Sequence, residues 1–99
     1  MESSAFIAGN TTGDSPVVKA KFNKLHIELE QSGYRKIFQP RVLDVDNAFG
    51  WSWEETIRYD AKKMLDCNSL HLLPDWMDSR CAVILRDTAL RLGIIVIYH

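Results

Sequence analysis

The sequence predicts an α/β fold: a three-layer sandwich built on a four-stranded parallel sheet in the order 2-1-3-4, of the flavodoxin or Rossmann-like type. Three observations lead to this prediction. Short apolar runs alternate with longer segments in which apolar residues recur every three or four positions. Glycine or proline follows most of the apolar runs. The last run, residues 94–98, is apolar throughout, which is typical of a strand covered on both faces.

The N-terminal half contains the features of a strand, a helix and a second strand. Residues 5–9 are an apolar run before a loop rich in turn-forming residues, and they predict the first strand. The pair Ser15 and Pro16 predicts the start of a helix that Ser15 caps, and Gly33 predicts its end. The apolar stripe of this helix consists of Val18, Phe22, Leu25 and Leu29. Residues 36–39 predict the second strand, which a long irregular stretch follows.

The C-terminal half predicts two further helices and two further strands. Residues 52–55 match a capping box, so a second helix begins there. Its apolar stripe consists of Ile57, Ala61 and Met64, and we expect Lys62 and Lys63 on the opposite side. Residues 69–73 predict the third strand, and Ser79 predicts the cap of the third helix. The stripe of that helix consists of Ala82, Leu85, Ala89 and Leu92.

Composition bounds the class of protein. The chain has 99 residues, 46% of them apolar and 25% charged, so we expect one domain over residues 1–99 with a single core. The formal net charge of −1 provides no broad basic surface and argues against general nucleic-acid binding. Neither a membrane-spanning run nor a signal-peptide pattern is present, and we therefore expect a cytoplasmic protein. Cys67 and Cys81 lack redox or zinc spacing and are expected to be free thiols.

The predicted topology indicates where a ligand would bind. In an open parallel sheet, ligands bind beyond the carboxyl ends of the strands where the winding reverses, here between the first and third strands. The loops after Gly9 and Leu73 would frame that pocket. Residues 9–13 precede a helix N-terminus and could hold a phosphate or a sugar hydroxyl, although such a segment is more often only a turn. They do not match a P-loop, and no cofactor is predicted.

Aromatic and ionisable side chains provide further candidates. Trp51, Trp53 and Trp76 lie near predicted strand ends and could stack on a base, with Trp76 favoured because its loop borders the reversal point. Asp60 lies beside an apolar stripe, where desolvation could adapt it to acid or base chemistry; alternatively, it pairs with Lys63 or Arg58. The three histidines share no metal-binding spacing, and His71 is expected in the core.

The whole chain resembles a family of small proteins similar to nucleoside 2-deoxyribosyltransferases, of the DUF4406 type, which is frequent in phages and their hosts. The matching positions are Ile7-Ala8-Gly9, Thr12-Gly13, Phe22-Asn23, Gly33-Tyr34, Gln39-Pro40, Ser52-Trp53-Glu54, Asp60, Leu72-Leu73-Pro74, Trp76 and Ser79-Arg80-Cys81-Ala82. The resemblance implies a ligand that is a nucleoside or a nucleotide. It also implies that residues 9–12 contact the base or sugar, that Asp60 lies near the reacting centre and that Ser79 contacts the sugar or phosphate.

The complete set of residues expected at the ligand site follows from the topology and this resemblance. Asp60 is the candidate catalytic residue. The expected ligand-binding residues are Gly9, Asn10, Thr11, Thr12, Pro40, Trp53, Asp60, Pro74, Trp76, Ser79 and Arg80.

Three departures from the family pattern bear on activity. Leu85 stands where the resembled enzymes have a nucleophilic glutamate, Asn68 replaces a common aspartate, and Cys81 replaces a glycine. Because covalent catalysis needs a nucleophile, the sequence favours a protein that binds a nucleotide-like molecule without standard transferase activity. One role that such a protein could have is to sequester a signalling nucleotide. The alternatives are an active N-glycosidase or deoxyribosyltransferase that uses Asp60 or a residue from a neighbouring subunit, and a protein-interaction module with a vestigial pocket. We also expect a homodimer or larger homo-oligomer.

Overall fold

Four parallel strands form one sheet in the order β2-β1-β3-β4 in the computed structural model, which describes residues 3–43 and 50–99. The strands are β1 (Ser4–Ala8), β2 (Lys36–Phe38), β3 (Ser69–Leu72) and β4 (Ile95–Tyr98). The helices between them are α1 (Ser15–Gln31), α2 (Trp53–Leu65) and α3 (Arg80–Arg91). The predicted fold class and strand order are confirmed. Part of the predicted irregular stretch after β2, residues 44–49, lies outside the described residues.

The sheet has a core layer on each face because side chains along a strand alternate in direction. On one face, α1 packs over Ala5 and Ile7 of β1. The contributions of α1 to this layer are Val18, Phe22, Leu25 and Leu29. On the other face, α2 and α3 pack together over Phe6, Ala8, Leu70 and Leu72. The α2 and α3 contributions there include Met64, Ala82, Leu85 and Ala89, which completes the three-layer arrangement.

Two of the three predicted helix caps are present. The Ser52 side chain accepts a hydrogen bond from the Glu55 amide, and the Glu55 side chain accepts one from the Ser52 amide, which is a complete capping box. Ser79 accepts a hydrogen bond from the Ala82 amide at the start of α3. The prediction for Ser15 is wrong: Asp14 holds the cap position, without a side-chain cap bond. Ser15 is already in the first helical turn, so its hydroxyl is one residue too late to serve as the cap.

The C-terminal end of the chain corrects two further predictions. Strand β4 forms the edge of the sheet, as the predicted order requires, but it is not covered on both faces, since Ile95 is 62% exposed. Helix α3 covers only the face that carries Val96. Leu92 is not part of the buried stripe, because the helix ends at Arg91 and Leu92 is turned outward at the cap. An apolar run alone does not show whether both faces of a strand are covered.

The core contains one buried histidine, as predicted for His71. Its Nε2 lies 2.9 Å from the Ser69 hydroxyl and its Nδ1 lies 2.8 Å from Nε2 of His99. Burial, followed by the charge of His99, lowers the pKa of His71 to about 4. The ring is therefore neutral at neutral pH. Cys67 and Cys81 are free thiols, also as predicted.

Candidate functional site

A cavity of about 370 Å³ opens at the C-terminal edge of the sheet. Its floor comes from the end of β1 and from α3, where Ala8, Ala82 and Leu85 present apolar atoms. Residues 9–12 form one wall, and Ser79 with Arg80 begins another at the start of α3. The volume falls within the range usual for sites that bind small organic molecules. The cavity therefore lies where the topology predicts a ligand.

The structure brings most of the predicted site residues together. Those that line the cavity are Gly9, Asn10, Thr11, Thr12, Pro40, Trp53, Asp60, Ser79 and Arg80. Pro74 and Trp76 lie outside it. The Trp76 ring instead contacts the Tyr98 ring, with centroids 5.8 Å apart, and the Arg86 guanidinium, 5.0 Å from the Trp76 centroid. The loop after β3 turns away through a short 3₁₀ helix, Trp76–Asp78, and reaches the cavity only at Asp78 and Ser79.

One face of α2 supplies three of the lining residues. Trp53, Thr56 and Asp60 follow each other at intervals of three and four residues, which places them in one row along a helix. The row begins at the capped end, next to Ser52. Because the capping box fixes where α2 begins, it also fixes which residues of the helix face the cavity.

Asp60 is the buried acid of the site, with 2% of its surface exposed. Its Oδ1 accepts a hydrogen bond of 2.9 Å from the Arg41 backbone amide, rather than from Lys63 or Arg58 as considered from the sequence. Burial raises the pKa of Asp60 to about 6, and the Arg41 amide and charge only partly offset that effect. A carboxyl group with such a pKa exchanges protons close to neutral pH, as general acids and bases do.

Trp53 connects two neighbours at the mouth of the cavity. The Arg80 guanidinium lies 4.4 Å from the Trp53 ring centroid, a cation–π contact. The Trp53 side chain and the charge of Arg80 act to lower the pKa of the Cys81 thiol. Burial nevertheless raises the pKa of Cys81, so the thiol is protonated at neutral pH and is a poor nucleophile.

The loop after β1 is held in place by its own side chains and by Asp75. The Asn10 side-chain oxygen accepts hydrogen bonds from the Thr12 amide, at 3.1 Å, and from the Thr12 hydroxyl, at 2.8 Å. Asp75 accepts a bond of 3.0 Å from the Asn10 amide and forms an ion pair with Lys21 of α1. Burial opposes ionisation of Asp75, but the bonds from Lys21 and Asn10 prevail and lower its pKa. Asn10 therefore shapes the cavity wall.

Gly9 is the residue at which the two predicted turns meet. A Cβ atom at this position would lie 2.8 Å from Leu73 Cδ1 and 3.0 Å from Asp75 Oδ1, both in the turn after β3. The Leu73 amide donates a hydrogen bond of 2.9 Å to the Ala8 carbonyl beside it. The turns after β1 and β3 thus touch, as the proposed pocket requires.

A Gly9→Ala variant should be less stable than the wild type by roughly 1–3 kcal/mol, because the added methyl group overlaps atoms that cannot all move away. Urea denaturation followed by far-ultraviolet circular dichroism would measure the loss. A free energy of unfolding within about 0.5 kcal/mol of the wild type would contradict the close approach of the two turns.

Several residues at the cavity were not predicted. They include Val42, Thr56 and Asp78, and Trp51 was noted only as an aromatic near a strand end. The position of Thr56, one helical turn before Asp60, could have identified it. No pattern in the sequence points to Val42 or Asp78.

The departures from the resembled enzymes occupy different places. Leu85 is buried and borders the cavity, so its apolar side chain lies at the site itself. Asn68 lies at the opposite end of the sheet, where its side-chain oxygen accepts hydrogen bonds from the Ser4 amide and hydroxyl at 2.9 and 3.1 Å. Asn68 therefore joins β1 to β3 and does not contribute to the cavity. Within residues 3–43 and 50–99, the carboxylates that line the cavity are Asp60 and Asp78.

A family model described as "Domain of unknown function (DUF4406)" matches residues 3–98. The chain belongs to this family. No curated protein and no solved structure shows significant similarity to it. The match confirms that part of the resemblance, whereas the relation of the DUF4406 domain to nucleoside 2-deoxyribosyltransferases stays a prediction.

Two further features of the DUF4406 domain concern membrane-spanning helices and metal sites. In the part of the chain that the structure describes, no helix is both long and apolar enough to span a bilayer. In the same residues, no cluster of three or more His, Cys, Asp or Glu side chains could hold a metal ion.

Proposed function

We propose that this DUF4406 domain binds a nucleoside or nucleotide in the cavity at the C-terminal edge of its sheet. The observation that carries the proposal is the combination of two indole side chains, Trp51 and Trp53, with one buried carboxyl group, Asp60, in a cavity of about 370 Å³. A nucleoside has a flat aromatic base and a polar sugar. An indole ring can stack on any of the bases, and a carboxyl group binds a sugar hydroxyl or a base edge.

The geometry of Asp60 supports this proposal. Its Oδ1 is fixed by the Arg41 amide, and the carboxyl group lines the cavity, so Oδ2 is the oxygen that a ligand would meet. Arg80 and the capped N-terminus of α3 add positive potential at the other wall. The cavity thus offers an aromatic surface, an acid and a positive edge to one molecule.

The test is a panel of the four common deoxynucleosides and their 5′-monophosphates, examined by thermal shift and isothermal titration calorimetry. A ligand present at 100 times its dissociation constant should stabilise the fold by about 2.7 kcal/mol. If none of the eight compounds raises the melting temperature at millimolar concentration, binding of these nucleosides and nucleotides at this cavity is disproved. That result would favour the alternative of a protein-interaction module with a vestigial pocket.

A matched pair of tryptophan variants locates the binding site. Trp53→Leu removes an indole from the cavity and should weaken binding by about tenfold, since stacking on an aromatic side chain contributes about 1–3 kcal/mol. Trp76→Leu makes the same change outside the cavity and should leave the affinity unchanged. Titration calorimetry at a temperature where circular dichroism shows both variants folded would measure this. Equal losses in the two variants would argue against the assigned site.

Hydrolysis of the N-glycosidic bond is the second candidate function, and one specific observation favours it. The pKa of Asp60, about 6, suits a group that donates a proton to a departing base. Incubation of the same compounds with the protein, followed by chromatography for free base, would detect this reaction. Base release that Asp60→Asn abolishes would establish an enzyme, whereas binding without base release would support the first proposal.

A further inference from the structure

A second cavity, of about 270 Å³, adjoins the first. It lies beyond the end of β2 and is lined by Phe38, Gln39, Pro40, Arg41, Leu43, Tyr59 and Lys63. Pro40 lines both cavities. Nothing in the proposed function so far uses this space.

The described lining of the second cavity is cationic and aromatic. Arg41 and Lys63 are its charged side chains, and no acidic residue is among those named above. The Lys63 ammonium lies 5.1 Å from the Phe38 ring centroid and 5.7 Å from that of Tyr59. Lys63 is therefore half-buried over two rings, whereas the sequence placed it with exposed Lys62 on the outer side of α2.

The environment of Lys63 suits an anion. Ring faces attract a cation but do not compete strongly for its N–H donors, so the three ammonium hydrogens can be offered to an anionic oxygen. Partial burial strengthens that attraction because less water screens it. A small multivalent anion such as a phosphate fits this chemistry better than a carboxylate, which carries a single charge.

The Arg41 side chain contacts an aromatic residue of each cavity. The Arg41 guanidinium lies 4.8 Å from the ring centroid of Trp51, which lines the first cavity. It lies equally 4.8 Å from that of Tyr59, which lines the second. The backbone amide of the same residue holds Asp60. A single ligand with a nucleoside and a phosphate group could therefore occupy both cavities across the Pro40 and Arg41 boundary.

We propose that the second cavity binds the phosphate group of a nucleotide whose nucleoside occupies the first, so that the preferred ligand is a phosphorylated nucleoside. This inference rests on the proposed function for the nucleoside part only. It assigns the phosphate to Lys63, whereas the resemblance places Ser79 on the sugar or phosphate.

Affinity comparisons test the proposal. Each 5′-monophosphate that binds should do so about tenfold more tightly than its parent nucleoside at low ionic strength, because hydrogen bonds to charged groups contribute about 1.5–3 kcal/mol. Lys63→Gln should remove that gain while leaving nucleoside affinity unchanged, and Lys63→Arg should restore most of it. Lys62→Gln is the matched control, since it removes the same charge from the neighbouring exposed position and should keep the gain.

The possible outcomes separate the two proposals. Nucleosides that bind without any gain from the phosphate, or a gain that survives Lys63→Gln, would overturn the phosphate site and leave the proposed function intact. If no nucleoside binds, inorganic phosphate alone still tests the second cavity by amide chemical shifts in ¹H–¹⁵N spectra. Shifts centred on Gln39, Arg41 and Lys63 would support it, and shifts centred on Ser79, or none, would refute it.

Discussion

An Asp60→Asn variant is expected to be more stable than the wild type at pH 7, by about 2–3 kcal/mol. The pKa of Asp60 is raised from 3.8 to about 6, chiefly by burial. Each unit of pKa difference between the folded and unfolded states corresponds to about 1.4 kcal/mol, so the ionised carboxylate destabilises the fold at pH 7. Asparagine keeps a side-chain oxygen for the Arg41 amide and carries no charge.

Urea denaturation at pH 7 would measure the gain, and acid provides the first control. Below about pH 4 Asp60 is protonated in the folded protein, so the two proteins should have similar free energies of unfolding there. Asp78→Asn is the second control, since it removes the other carboxylate that lines the cavity from an exposed position. That variant should differ from the wild type by less than about 0.5 kcal/mol. A destabilised Asp60→Asn protein would show that the carboxylate has stabilising contacts that outweigh its desolvation.

The same substitution should weaken ligand binding by about tenfold, or abolish base release if the protein is an enzyme. Buried acids with raised pKa values cluster at functional sites, and Asp60 lies in the cavity wall. If Asp60→Asn raised stability and left nucleoside affinity and base release unchanged, Asp60 would have no part in the site.

The fold could be predicted because several independent patterns in the sequence agree. An apolar stripe in α1, a capping box at α2 and a serine cap at α3 each fix one element, and right-handed crossovers leave few possible strand orders. The errors occurred where local patterns do not determine the environment. The apolar run of β4 suggests a strand covered on both faces, but Ile95 of this edge strand is largely exposed, and the sequence does not encode what covers it.

The site could be predicted only as far as topology determines it. The loop at residues 9–12 and the start of α3 follow directly from the point at which the winding reverses. The sequence favoured Trp76 among the tryptophans, but Trp76 lies outside the cavity, because its position in a 3₁₀ helix turns its ring toward Tyr98. The partner of Asp60 was missed for a related reason. It is a backbone amide, and because almost every residue type has one, the residue type does not indicate which amide will bind.

Asp60 and His71 are buried groups with strongly shifted pKa values, and they contribute to the pH dependence of stability in opposite directions. The free energy of unfolding of the wild type is therefore expected to vary little between pH 4 and pH 6. Asp60 binds a proton in the folded state at a pH where the unfolded state has lost it, so its contribution falls as the pH rises from 3.8 to about 6. His71 is neutral in the folded state down to about pH 4, whereas the unfolded state takes up a proton near 6.5. Its contribution therefore falls as the pH decreases through the same interval.

Each contribution amounts to roughly 3 kcal/mol, so removing one group should expose the other. In Asp60→Asn, stability should fall on acidification from pH 6.5 to pH 4. In His71→Gln, stability should instead rise over that interval, even though the lost contacts with Ser69 and His99 lower it at every pH. The free energy of unfolding of the double variant should again depend little on pH. The double variant therefore serves as a control for the titratable groups that all four proteins share.

Urea denaturation of the four proteins at half-unit steps of pH would give the profiles, and the slopes rather than the absolute free energies decide the outcome. Asp75 does not disturb the comparison, because its pKa is lowered below 3.8 and its contribution is lost only at more acidic pH. Parallel profiles for the wild type and Asp60→Asn would mean that Asp60 does not retain a proton up to about pH 6 in the folded protein. Its burial at the cavity wall would then be too shallow to support the acid chemistry and the stability gain proposed above.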